Sequence, residues 1–408
     1  MAFFFSRDTK VFMEWSEDST TANTALYEIP VLDGFSFSQG TNTSEVTLSE
    51  AATSAGYSKR GRAMFTDSFA PAEWSFSTYM RPTKSGSAAA YASGEHSAAN
   101  AHFAVEGPLW AALTAKDYDK ACGGDFTSGT GTGGLAFDFA NSNNVQVGTF
   151  NMFFVLGAAK DSTPTSYASS GDVTIYKLSD CSVGSASIDF DIEGIAQIAW
   201  SGNGKTIEEV AALDTSTDNT AAPKGLIAEG VSSTTNFIRN KLTDLSITYD
   251  ASESTGTLGS LGASDQAYSI TLTGGNITIE NNLTYLTPET LGTVNLPIGH
   301  VTGTRSVSGN FTCYLNSDAN SSMDLFEKLQ ESRGVITNAF DLAFGIGGST
   351  AATPRVVVDV PKAHLELPTH SFEDVVSVDV AFHGLATDLS SATAADATNE
   401  VKVTYKVD

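Results

Sequence analysis

The stretch SIDFDIEGIAQIAWSG, Ser187 to Gly202, decides how the rest of the chain is read. Three acids, Asp189, Asp191 and Glu193, stand at alternate positions ahead of Gly194. A calcium loop, a catalytic carboxylate pair and the wet face of a strand all begin this way. An EF-hand loop needs oxygen ligands further along and a Glu at its twelfth position. Counted from Asp189, that position is Trp200, and Phe190 and Ile192 belong in a core. Two acids on one strand face lie ~7 Å apart, which overlaps glycosidase spacing. A catalytic acid with a raised pKa needs burial, and this face reads as solvated. The pattern therefore predicts one long strand of about twelve residues, ~40 Å. Phe190, Ile192, Ala196, Ile198 and Trp200 take one side, and Asp189, Asp191, Glu193 and Gln197 the other.

A second stretch repeats this one. THSFEDVVSVDVAFHG, Thr369 to Gly384, matches its apolar parity at a shift of 182 residues, with Phe190 on Phe372, Trp200 on Phe382 and Gly202 on Gly384. Of the acids, only Asp191 keeps an acid opposite, Glu373. Five further blocks recur in the same order. Lys10–Asp18 matches Asp244–Ser252, and Tyr27–Ser38 matches Tyr268–Ile279. Trp74–Arg81 matches Ser308–Leu315, with Phe76 on Phe311 and Tyr79 on Tyr314. Pro108–Ala115 matches Asp324–Glu331, and Phe150–Gly157 matches Phe340–Gly347. The reading is a tandem duplication: a first domain over 1–202, a linker over 203–235 and a second domain over 236–408. The first copy carries low-complexity inserts at 83–101 and 122–134, which read as surface loops.

Each copy has strands split by a long polar loop (Gly40 to Pro71; Asn281 to Arg305), then a strand, one helix and more strands. Pro108 suits a first helical turn, and Ser321 is placed to cap the second helix. Leu109 with Leu113, and Leu325 with Leu329, make i,i+4 pairs. The fold class is mainly β: antiparallel sheets in a sandwich or barrel-like arrangement, with one helix per domain.

Composition limits function. Hydrophobic residues make up 41% of 408, including 24 Phe, so a large core is available. The net charge of −25 argues against binding nucleic acid or an anionic membrane surface. No apolar run approaches a membrane span. The opening MAFFFSRDTK predicts neither a signal peptide nor an anchor, so synthesis in a cytoplasm is expected. Cys122, Cys181 and Cys313 are too few and too scattered for a disulfide framework or a zinc site. His364, His370 and His383 lack metal spacing on a strand and read as turn and surface residues. GIGGST (Gly345–Thr350) lacks the Lys of a P-loop and reads as a turn after a strand. No catalytic motif emerges, so no enzyme, cofactor or metal is expected. One basic cluster, Lys59, Arg60 and Arg62, stands against the acidity and suits contact with an acidic neighbour.

The segments RGRAMFTDSFAPAEWSFSTYMRP (Arg60–Pro82), GTRSVSGNFTCYL (Gly303–Leu315) and LPTHSFEDVVSVDVAF (Leu367–Phe382) resemble tail tube proteins of tailed bacteriophages. The resemblance implies a structural virion protein, made in the host cytoplasm, that assembles into stacked rings around a channel for the genome. Family rings are sixfold, so a two-domain chain would close as a homotrimer with pseudo-sixfold symmetry. It implies other tail components as partners (tape measure, terminator, baseplate or distal tail proteins and, in a contractile tail, a sheath). DNA would pass without specific binding, and nothing would anchor in a membrane. An acidic wall repels phosphates, so Asp191 and Glu373 are the candidate lumen-facing acids. The long loop would reach a neighbouring subunit, making Lys59, Arg60, Arg62 and Arg305 candidate inter-subunit contacts. The alternative is a secreted or surface β-rich protein of the adhesin or S-layer kind.

Overall fold

The computed structural model describes residues 3–16, 24–46, 63–84, 102–114, 134–139, 147–158, 166–169, 172–215, 226–227, 237–250, 266–288, 290–292, 294–331, 340–347, 354–390 and 399–406. Strands form where aromatic and β-branched residues alternate with Ser, Thr and acids. The first series is β1 (Lys10–Ser16), β2 (Thr24–Ile29), β3 (Ser36–Val46), β4 (Ala63–Tyr79), β5 (Pro82–Lys84), β6 (His102–Ala104), α1 (Gly107–Thr114), β7 (Leu135–Asp138), β8 (Phe150–Leu156), β9 (Ser166–Ala168), β10 (Thr174–Asp191), β11 (Gln197–Gly204), β12 (Thr206–Val210), β13 (Ala212–Asp214) and β14 (Leu226–Ile227). The second is β15 (Asp244–Tyr249), β16 (Gln266–Ile270), β17 (Leu272–Glu280), β18 (Leu283–Leu286), β19 (Gly299–Thr302), β20 (Ser306–Tyr314), α2 (Ser322–Glu331), β21 (Phe340–Ile346), β22 (Arg355–Leu365), β23 (Thr369–Phe372), β24 (Val376–Gly384) and β25 (Lys402–Lys406).

The two series pair in the same order. The first runs β2-β1-β8-β10-β11-β4-β3 and the second β16-β15-β21-β22-β24-β20-β17, all antiparallel. In each, a later strand returns against the first half of the long strand, β12 on β10 and β25 on β22. In the second series the helix follows β20 directly, and in the first it comes after β4 with the short strands β5 and β6 between. The long strand β10 serves two layers because it bends. Asp180 takes a φ of 48°, and the register shifts between Leu178 and Cys181, the geometry of a bulge. Its first half pairs with β8 and β12, and its second half with β11.

A seam joins the series. Ser185–Asp191 of β10 pairs antiparallel with Glu280–Gly274 of β17. One sheet therefore runs β3-β4-β11-β10-β17-β20-β24-β23, four strands from each series. Its outer edges are β3 and β23; among the described residues β3 pairs only with β4, and β23 only with β24. The terminal strand β25 crosses back and pairs with β7. One apolar cluster holds residues of both series, including Trp74, Trp110, Trp200, Phe311, Phe344 and Phe382. Helix α1 is buried on every side, as its Pro-Leu-Trp-Ala-Ala-Leu core predicts. In α2 the predicted pair Leu325 and Leu329 faces inward, while Met323 is exposed.

The structure differs from the sequence reading in several details. Ser187–Gly202 is a hairpin, not one strand: β10 ends at Asp191 and β11 begins at Gln197. Gly194 turns the chain with a φ of 117°, a conformation that favours glycine, and Ile192 is left 48% exposed. The two long polar loops contain strands. Ser36–Val46 and Ala63–Tyr79 form one extended hairpin, and β18 pairs with β19 in the other loop. With Gly202 over Gly384, the ladders set Trp74 over Val307 and Phe76 over Gly309, two residues from the match by letter. Ser321 spends its hydroxyl on the Asn316 carbonyl, and Asp324 instead accepts from the Asn320 N–H.

The predicted surface histidines sit on strands. His364 and His383 face each other across β22 and β24, and His370 packs edge-on against Phe326. Residues 203–214 of the expected linker extend β11 and form β12 and β13. Lys59, Arg60, Arg62, Cys122 and most of both inserts lie outside the described residues.

A continuous polar sheet face as the candidate functional site

The eight-stranded sheet has a dry face and a wet one. On the dry face, Trp74 and Phe76 of β4, Ile198 and Trp200 of β11, Ile188 of β10, Ile277 of β17, Phe311 of β20 and Phe382 of β24 are buried. Alternate residues point the other way. Residues directly opposite in a ladder share a face, so the registers define rows across the whole sheet.

One row is Ser36, Ser75, Ser201, Ser185, Glu280 and Ser306. The next is Ser77, Ala199, Ser187, Thr278, Ser308 and His383. A third is Tyr79, Gln197, Asp189, Asn276, Asn310 and Ala381. A fourth is Asp191, Gly274, Thr312, Asp379 and Thr369. None of these residues is Lys or Arg. Hydrogen bonds link neighbours along the rows. Ser36 and Ser75 hydroxyls lie 2.8 Å apart, Ser185 and Ser201 2.7 Å, and Ser187 and Thr278 3.1 Å across the seam. Between the third and fourth rows, Asn310 Nδ2 donates to Asp379 at 3.1 Å. The charged side chains of these rows that are not histidine are the carboxylates Asp189, Asp191, Glu280 and Asp379. The face offers no point charge that would hold a phosphate.

Asp191 lies on this face, exposed at the end of β10. Glu373 is exposed in the turn between β23 and β24, outside the rows. The two are not structural counterparts. Asp189 faces Gln197 as Thr369 faces Asp379, so Asp191 falls over Ser371, and Glu373 over Glu193. Asp189, Glu280 and Asp379 are face acids that the residue-by-residue match missed. Strand parity alone places Asp379 among Val378, Val380 and Phe382, but its row needs the ladder. Arg305 is engaged within the chain. It pairs with Glu400 at 3.2 Å and lies 4.7 Å over the Phe139 ring, joining the two series. Burial holds its pKa below the usual value.

The seam itself is closely built. Phe190 packs against Phe344 of the second series, ring centroids 5.7 Å apart. Asn281 donates Nδ2 to the carbonyls of Leu113 at 2.9 Å and Val183 at 3.4 Å. Tyr405 on β25 donates to Glu106 at 2.6 Å and accepts from Trp110 Nε1 at 2.6 Å. Glu106 is wholly buried, and desolvation pushes its pKa up to about 7, with Tyr405 and Arg81 opposing the rise. The arm carrying β18 and β19 lies across the first series. Tyr285 donates to the carbonyls of Asp180 and Asn203, at 3.0 and 2.9 Å. His300 Nδ1 lies 3.3 Å from Ser182, and Phe69 N–H donates to the Asn295 carbonyl.

Among the described residues no cluster of His, Cys, Asp and Glu is suited to a metal, and Cys181 and Cys313 are free and buried. No described helix is long and apolar enough to cross a membrane.

A family model described as phage tail tube protein matches residues 83–384. The chain is also similar to the tail tube protein pb6 of Escherichia phage T5, 28% identical over 392 residues. That match takes in 94% of this chain and 73% of pb6.

Proposed function

This chain belongs to the phage tail tube protein family, and from that premise we propose that three copies close into a ring whose stacked repeats conduct the genome. Its place in the structural tube of the virion follows from the family. The stoichiometry, the lumen and the lack of catalysis are our reading. The observation that carries it is the eight-stranded sheet with one cation-poor polar face, whose outer strands β3 and β23 are each paired on one side among the described residues. The repeated pairing order supports a tandem duplication, with units over 1–202 and 236–408 joined through 203–235. Each unit then supplies four strands to the wall, and three chains supply six units, a pseudo-sixfold ring.

The polar face lines the lumen in this reading, with Asp189, Asp191, Glu280 and Asp379 facing the DNA. Fixed negative charge on a hydrated wall opposes adhesion of the phosphate backbone and lets the duplex slide. The hairpin of β3 and β4 reaches a neighbouring subunit, as the β18–β19 arm reaches across the chain's own first series. Lys59, Arg60 and Arg62, which fall between β3 and β4 in the sequence, meet an acidic neighbour in this reading. Glu373 sits at the rim. Tail partners above and below the tube complete the assembly.

Negative-stain imaging of the purified protein tests the reading. Rings or tubes with threefold or sixfold averages are expected. A chain that stays monomeric at high concentration and in the presence of tail extract contradicts it.

A further inference from the structure

The two series leave a cavity where they meet, and we propose that it binds the ammonium group of a short aliphatic amine. The cavity is built within one chain. The inference therefore goes beyond the ring reading and does not depend on it.

The cavity has a volume of about 220 Å³ and lies at the end of the seam. Three walls enclose it. The first is the end of β10, Phe190 to Ile192. The second is Asn240, Lys241 and Thr243, from the 3-10 turn that leads into β15. That turn is tied to the β10–β11 hairpin: the Asn240 N–H donates to the Gly194 carbonyl at 3.2 Å, and Ile195 bridges Arg239. The third is the start of β17, Leu272 to Gly274, with Tyr314 at the end of β20.

The lining is rich in acceptors that the chain leaves without donors. Asn240 is only 8% exposed, and its Oδ1 is buried with no hydrogen-bond partner. Thr243 Oγ1 is buried and unpartnered too. The Asp191 carboxylate lies over Gly274, where an added Cβ would meet its Oδ1 at 3.9 Å. Buried acceptors call for donors, and a primary ammonium carries three. The Asp191 carboxylate matches its charge. Phe190, Ile192 and Leu272 give a short alkyl chain an apolar wall. At ~30 Å³ for each water-sized group the cavity holds about seven, so the ligand is small. A bare calcium ion takes about six to eight oxygens, and so apolar a lining does not supply them. The acidic face beside the cavity draws cations toward it. Lys241 is the cation among the described lining residues, and it is exposed. It opposes an amine and would favour an anion, so its removal separates the two.

The test titrates full-length protein with n-butylamine by calorimetry at low salt and about pH 7, where the amine is protonated. The neutral n-butanol is the control. Saturable binding is expected, with a Tm that rises as amine is added. Asp191→Asn should weaken binding about tenfold, the worth of one charge-assisted hydrogen bond, and butanol should bind at least that much more weakly. Lys241→Ala should tighten it. Both side chains are exposed, so neither variant touches the core. Amine that does not saturate the wild type, or that binds Asp191→Asn equally well, overturns the proposal. Butanol that binds as tightly as the amine overturns it by making the cavity merely apolar. Weaker binding to Lys241→Ala also contradicts it. Calcium chloride that displaces the amine at equal concentration assigns the cavity to a metal ion instead.

Discussion

Phe190 of β10 and Phe344 of β21 pack 5.7 Å apart across the seam, so an aromatic from each series fills the same space. Phe190→Ala would leave a cavity and cost about 3–5 kcal/mol. The expected result is a drop in thermal midpoint with the strand content retained. A Tm within 2 °C of wild type, on the order of noise for such a change, would remove Phe190 from the seam's support.

Asn281 holds the seam by polar means. Its side chain satisfies the Leu113 carbonyl at the end of α1. Asn281→Leu leaves that acceptor buried and unpaired, at a cost of about 1–3 kcal/mol. Denaturant titration checks this. Stability equal to wild type would mean that another donor reaches the carbonyl.

Glu106 gives the fold a pH dependence. Its pKa is near 4.5 when solvated and about 7 in the fold. The folded state therefore binds more protons between those values. Its contribution is fully present below about pH 4.5 and is lost as pH rises through about 7. The total is ~3 kcal/mol by linkage. Glu106→Gln keeps an acceptor for Tyr405 and removes the titration. Its Tm should gain on wild type between pH 5 and pH 8. Parallel pH profiles of the two proteins would refute the assignment. Tyr405, beside Glu106, has its own pKa pushed up by burial and stays neutral throughout.

The lumen assignment predicts a change in how DNA is handled. Asp189→Lys with Asp191→Lys places four units of charge change per chain on the wet face without touching the core. Rings should still form. Short duplex DNA should now bind the tubes, with an affinity that falls steeply with salt. Wild-type tubes should not retain it. Assembled tubes of the variant that ignore DNA at low salt would place this face away from the lumen.

Much of the fold was legible because apolar parity survives divergence while surface letters do not. Trp200 with Phe382 and Gly202 with Gly384 carried the match, and the ladders keep them in register. Parity could not separate one long strand from two arms of a hairpin. Ile192 continues the alternation through the turn, and only the φ of Gly194 breaks it. Matching letters misled where side chains are interchangeable within a core. Phe76 was set on Phe311, yet the register gives it Gly309, which packs against the Phe382 ring. The candidate site was legible as a wet, acidic face but not as rows. Rows depend on which strands become neighbours, and the seam between Ser185–Asp191 and Glu280–Gly274 joins segments far apart in the chain. Arg305 shows the same limit, since its partners Phe139 and Glu400 are distant in sequence.

Cross-sections of assembled tubes, imaged by electron cryomicroscopy to strand-separating resolution, test the central claim most directly. The account predicts three chains per ring, each giving eight strands to one closed wall, with Asp189 and Ser187 facing the channel. A ring with another number of chains, or with that face on the outer surface, would contradict it.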